Sequence, residues 1–96
     1  MLSFSLAAIG CYEHFTSVLL GSFTDEIDWF AHFSSQMQEM VKKCAQLAVK
    51  KRQRYFGVEG FGNCYGAQSS PSGAKVTQCN FGVGLDNYYY VYEVSL

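Results

Sequence analysis

Ninety-six residues with a formal net charge of −1 allow one domain with one hydrophobic core, and they exclude a general electrostatic grip on nucleic acid. With 49% hydrophobic and 17% aromatic residues the chain is no disordered tail. No apolar run approaches the roughly 18 residues that a membrane span needs, so no membrane insertion is expected.

Met1 to Gly10 is apolar but lacks the basic start of a signal peptide, and it is too short to be a complete one before Cys11. It reads as the start of a first strand, Ser3 to Tyr12, with Met1 an artificial or truncated start; a secretion signal would lie outside this sequence. Ser5 to Tyr12 alternates weakly and ends in Gly-Cys-Tyr, which suits an edge strand. Glu13 to Phe33 has no clean period. It predicts an irregular loop with a short helical turn, whose Trp29, Phe30 and Phe33 pack down onto the domain.

Residues 36–52 predict a helix. Ser35 and Gln38 have capping-box spacing, and Met37, Val41, Cys44, Leu47 and Ala48 recur at three and four residues to make one apolar stripe. Glu39 near the start and Lys50, Lys51 and Arg52 at the end complement the helix dipole. The basic cluster has two readings: a solvated last turn, or a site that grips sulfated sugar or an acidic surface.

Arg54 to Val58 and Phe61 to Tyr65 predict a hairpin across Glu59-Gly60. Its glycines do not form a phosphate cradle, because no lysine and no helix follow them. Gln68 to Gly73 carries the only proline and reads as an exposed loop; Asn87 to Val94, dense in Tyr and Val, reads as a strand. There is no internal repeat and no linker, so residues 1–96 are one domain with its core over about 9–94. The fold class is α+β: one helix packed on a small, mostly antiparallel sheet.

Cys11, Cys44, Cys64 and Cys79 are spaced by 33, 20 and 15 residues with no CxxC, which is no zinc framework. An even number favours two disulfides formed in an oxidising compartment. Four cysteines allow three pairings, and parity does not choose among them. Cys44 on the helix and Cys64 on the hairpin meet if the hairpin folds back.

Enzymatic chemistry finds little footing. His14 and His32 stand in no triad or ligand spacing, and Asp25, Glu26 and Asp28 lack the glycine and terminal glutamate of a calcium loop. No enzyme activity, metal or cofactor is expected. What stands out is a density of aromatic and short polar residues at the hairpin tip and the start of the last strand: Glu59, Phe61, Asn63, Tyr65, Asp86, Asn87 and Tyr88. Rings stack on the C–H faces of sugars, and carboxylates and amides bond their hydroxyls, so these seven are the candidate ligand-binding residues. A patch around Trp29 and Phe33 would instead favour a protein partner.

Gly10-Cys11-Tyr12, Cys44-x3-Ala48, Tyr55-Phe56-Gly57-Val58-Glu59, Asn63-Cys64-Tyr65-Gly66, Gly82-Val83-Gly84 and Val91-Tyr92, in that order, resemble the WSC domain, and more closely its reduced-cysteine variant in secreted and cell-surface proteins of invertebrates. The resemblance implies a PAN/apple-like α+β fold and an extracellular binding role without catalysis. Members of the family bind carbohydrate or contribute protein contacts, so a glycan or an extracellular protein is the implied partner. Ala48 and Gly66 stand where the family carries a second helix cysteine and a second hairpin cysteine. The loss of both together implies the pairs Cys44–Cys64 and Cys11–Cys79.

Overall fold

The computed structural model describes residues 4–96; Met1 to Ser3, and with them the start of the expected first strand, lie outside the described residues. Five strands form one wholly antiparallel sheet: β1 (Ser5–Tyr12), β2 (Val18–Ser22), β3 (Tyr55–Glu59), β4 (Asn63–Ala67) and β7 (Tyr89–Ser95), in the spatial order β1-β7-β3-β4-β2. A helix, α1 (Phe33–Lys50), packs across one face. A two-stranded ribbon, β5 (Cys79–Asn80) and β6 (Val83–Gly84), stands beside it. The α+β expectation holds, with one helix on a small sheet and two disulfides. No helix among the described residues is long and apolar enough to cross a membrane.

The helix begins three residues earlier than expected. Ser35 therefore lies inside the first turn, where it cannot act as a cap. His32 holds the cap position in a left-handed conformation (φ 46°) and makes no side-chain cap bond. Gln36 does the fastening instead: its Oε1 accepts from the Asp28 N–H at 2.7 Å, and its Nε2 donates to the Asp28 and Ala31 carbonyls. The buried stripe is Met37, Met40, Cys44, Ala45 and Ala48, with Val41 and Leu47 half-buried at its margins. Two alanines let α1 approach the sheet closely.

The other end of α1 closes with a pair of crossed bonds, Gln53 N–H to the Ala48 carbonyl at 2.8 Å and Arg52 N–H to the Val49 carbonyl at 3.1 Å. This closure places Arg52 at φ 59°, a position usually held by glycine because a Cβ there costs about 1–2 kcal/mol.

The sheet alternates between two cores. Phe56, Val58, Cys64 and Tyr92 face α1, and the Phe56 and Tyr92 rings stack at 5.1 Å. Tyr92 also donates its hydroxyl to the Gly82 carbonyl at 2.6 Å, which ties the β5–β6 ribbon to the sheet. On the opposite face the link from β1 to β2 crosses from one edge of the sheet to the other, and its Phe15 drops onto the central strand. Phe15, Tyr12, Ala67 and Val91 are buried there. Gly57 makes room, since a Cβ at that position would lie 3.0 Å from the Phe15 ring. At Gly84 there is no room at all: a Cβ would sit 1.9 Å from the Tyr88 carbonyl oxygen, which is backbone and cannot yield.

Cys44–Cys64 joins the helix to the sheet, and Cys11–Cys79 joins β1 to the ribbon. Closing loops of 20 and 68 residues contributes about 3 and about 4 kcal/mol respectively in the chain-entropy account.

The segment from Glu13 to Phe33 departs from the sequence reading in two ways. It contains the expected helical turn, Thr24–Glu26, but also strand β2. Val18 and Leu19 of β2 are about 60% exposed, so the strand is held by its backbone ladder to β4 and shows no buried alternation to read. The loop aromatics also do not all pack down: Phe30 is 98% exposed and Trp29 49%.

Candidate functional site

The β3–β4 hairpin turns at Gly60-Phe61-Gly62, and this tip gathers most of the candidate residues. Glu59 is the last residue of β3 and Asn63 the first of β4, directly paired across the ladder. Both point to the face away from α1. A row of hydrogen bonds runs through them. The Ser22 hydroxyl donates to Asn63 Oδ1 at 2.6 Å, Asn63 Nδ2 donates to Glu59 Oε1 at 3.0 Å, and the Asn87 N–H donates to Glu59 Oε2 at 2.9 Å. Asn87 is held at φ 72° by this arrangement. The Asp86 carboxylate and the Asn63 amide lie together beside Gly60.

Two tyrosines stand next to the row. Tyr65 and Tyr89 meet edge to face at 5.2 Å, and Tyr89 meets Phe15 in the same way at 5.7 Å. Burial, followed by the neighbouring Tyr65 and Glu59, pushes the Tyr89 phenol above its ordinary value. Neither Ser22 nor Tyr89 stands out in the sequence. Ser22 sits in strand β2, which carries no readable alternation, and Tyr89 is one of three consecutive tyrosines, set apart from Tyr90 only by the pleat and from Tyr88 by the start of the strand.

Phe61 does not join the row. Its backbone is at φ 74°, and its ring turns toward the helix start, where it meets Trp29 at 5.1 Å and Phe33 at 5.8 Å. Phe81, at the tip of the ribbon and at φ 54°, meets Phe33 at 5.7 Å. Trp29, Phe33, Phe61 and Phe81 thus form one partly exposed ring cluster, with Phe30 beside it in sequence. Tyr88 joins neither group: it is half-buried, its N–H donates to the Leu85 carbonyl at 3.0 Å, and its carbonyl lies against Gly84. The ring cluster and the polar row lie on opposite faces of the tip, linked through Phe61-Gly62-Asn63.

No family model matches this chain, and no curated protein does. What the site can do therefore rests on its own geometry. The row offers fixed carboxylate, amide and hydroxyl groups on strand ends, and the cluster offers aromatic faces. Among the described residues no group of three or more His, Cys, Asp or Glu is placed to hold a metal ion.

Proposed function

We propose that this chain is a non-catalytic extracellular binding module of the WSC-like kind, and that it takes a carbohydrate at the hairpin-tip end. The observation that carries the reading is the Ser22–Asn63–Glu59–Asn87 row, at the same end of the molecule as the Trp29–Phe61–Phe81 rings. Sugars need both components, a planar ring against their C–H face and positioned donors and acceptors for their hydroxyls. The two disulfides favour an oxidising compartment and hence a secreted chain or an ectodomain.

A glycan array tests the reading. The chain should retain a defined set of unsulfated glycans, and Asn63→Ala and Trp29→Ala should each lose that set while remaining folded. Absence of binding to every glycan at high micromolar protein overturns it.

A second reading, an extracellular protein as partner, draws on a different observation. Phe61 and Phe81 both sit at positive φ, a conformation costly for a bulky side chain, and both send their rings to the same exposed cluster. If Trp29→Ala removes capture of a protein ligand and Asn63→Ala does not, this second reading replaces the first.

A further inference from the structure

The net charge of −1 conceals two poles. Asp25, Glu26 and Asp28 precede the helix, and Glu59 and Asp86 flank the hairpin tip at the same end. Four of the seven Lys and Arg residues fall within 50–54, at the far end of a helix of 18 residues, about 27 Å away. All four are exposed. Among the described residues, the one ion pair they make is Arg54 with Glu93 at 3.2 Å.

Three of these cations rim a depression. A cavity of about 690 Å³ is lined by Lys50, Arg52 and Arg54, with Val49, Val94 and Leu96 as its apolar side. A second, of about 410 Å³, adjoins it through shared Gln53 and Gln68 and is walled by His14 and the hydroxyls of Thr16, Ser17 and the 69–72 loop. The amides hold the rim in place. Gln68 Nε2 donates to the Arg52 carbonyl at 2.8 Å, and Gln53 Nε2 donates to the Lys51 carbonyl at 3.0 Å.

Helix-dipole compensation accounts for a cation at position 52 but not for its left-handed backbone. Arg52 occupies the left-handed closing position that glycine would fill without strain. Strain kept at an exposed, charged residue on the rim of a groove points to use of that residue.

We propose that the Lys50–Arg54 groove binds a sulfated polysaccharide, at a site separate from the hairpin tip. The fork of Arg52 and the point charge of Lys50 meet the sulfates, and the amides and hydroxyls of the adjoining cavity meet the sugar oxygens. A concave surface with cations on one side and amides and serines on the other fits a linked sugar better than a flat lipid headgroup layer or a base stack.

Dextran sulfate and unsulfated dextran, which share one backbone, are the probes, measured by calorimetry on the oxidised chain. Binding is expected to dextran sulfate alone, and to weaken steeply as salt is raised. Arg52→Gly should raise the melting temperature while weakening binding, opposite signs that a purely structural role cannot produce. At two- to five-fold per exposed cation, Lys50→Gln with Arg52→Gly should weaken binding by about ten-fold. Lys42→Gln with Lys75→Gln, which removes equal charge elsewhere, should leave affinity within about two-fold. Asn63→Ala should leave it unchanged, which separates this site from the tip. Equal binding of dextran, an unaltered affinity in Arg52→Gly, an equal loss in the Lys42/Lys75 variant, or tighter binding to phosphatidylserine vesicles or duplex DNA than to dextran sulfate would each overturn the proposal.

Discussion

Replacing Glu59 with glutamine changes one oxygen into an NH2 and leaves the shape of the side chain intact. In the native row both oxygens are acceptors, one from Asn63 Nδ2 at 3.0 Å and one from the Asn87 N–H at 2.9 Å. The substituted amide would keep one acceptor and would turn its NH2 toward a donor, whichever way it flipped. A sheltered charge-assisted hydrogen bond contributes about 1.5–3 kcal/mol, and the partial exposure of this site puts the loss near the lower end. The net cost of Glu59→Gln should be about 1–2 kcal/mol. In a domain of this size that lowers the melting temperature by roughly 5–15 °C. Asn87, at φ 72°, loses the bond that holds it there, so protection of its amide against hydrogen exchange should fall more than that of the central Val58. Thermal unfolding followed by near-UV circular dichroism, with exchange read residue by residue, gives both quantities. A melting temperature within about 1–2 °C of the parent and an unchanged Asn87 amide would refute the reasoning, because the row would then contribute nothing to order at the tip.

The two disulfides should rank oppositely in two assays. Loss of Cys11–Cys79 should cost about 4 kcal/mol and loss of Cys44–Cys64 about 3 in urea denaturation of paired alanine variants. Under limiting thiol, however, mass spectrometry of alkylated protein should find Cys11–Cys79 reduced first, since Cys79 is partly exposed while Cys44 and Cys64 are fully buried. Both Tyr89 and Tyr92 titrate above the ordinary phenol value of 10.0, chiefly through burial. Their contribution is complete below about pH 10 and is lost as pH rises through the folded values. The urea midpoint should therefore hold at about pH 8–9 and fall from about pH 10 upward, less steeply in Tyr92→Phe; a flat midpoint through about pH 11.5 would contradict this. Trp29→Ala should cost about 1–2 kcal/mol rather than the roughly 3–5 of a core tryptophan, and Phe30→Ser should stay within about 0.5, both measured by urea unfolding.

The α+β architecture is legible because its signals are local. The helix shows its stripe, β3 and β4 show their aromatic and glycine punctuation, and β7 shows its run of Tyr and Val. The helix start is not legible, because Gln36 fastens it from inside the first turn, a reach back to Asp28 and Ala31 that capping spacings do not encode. Strand β2 is hidden because Val18 and Leu19 are both exposed and Leu20 alone packs on the core, so no alternation marks it and the ladder to β4 defines it. Of the seven candidate residues, Glu59, Asn63 and Asn87 share one row, with Asp86 and Tyr65 beside it. Phe61 and Tyr88 turn elsewhere for reasons of backbone conformation at the two turns. Nothing in composition says that Phe61 sits at positive φ, and the sheet pleat alone tells Tyr89 from Tyr90. The poles of charge are half visible: the basic run is plain, but its shared rim with the 69–72 loop depends on β4 bringing Gln68 to the end of the helix.

The Tyr88 carbonyl pressed against Gly84 has an evolutionary corollary. Most surface positions of this chain tolerate drift, and core positions accept exchanges among hydrophobes of similar volume. Position 84 has a single permitted occupant, since even alanine would drive carbon into a main-chain oxygen. Every lineage that keeps this ribbon docked on the hairpin must inherit glycine there, so a descendant with any other residue at that codon has rebuilt this end of the molecule.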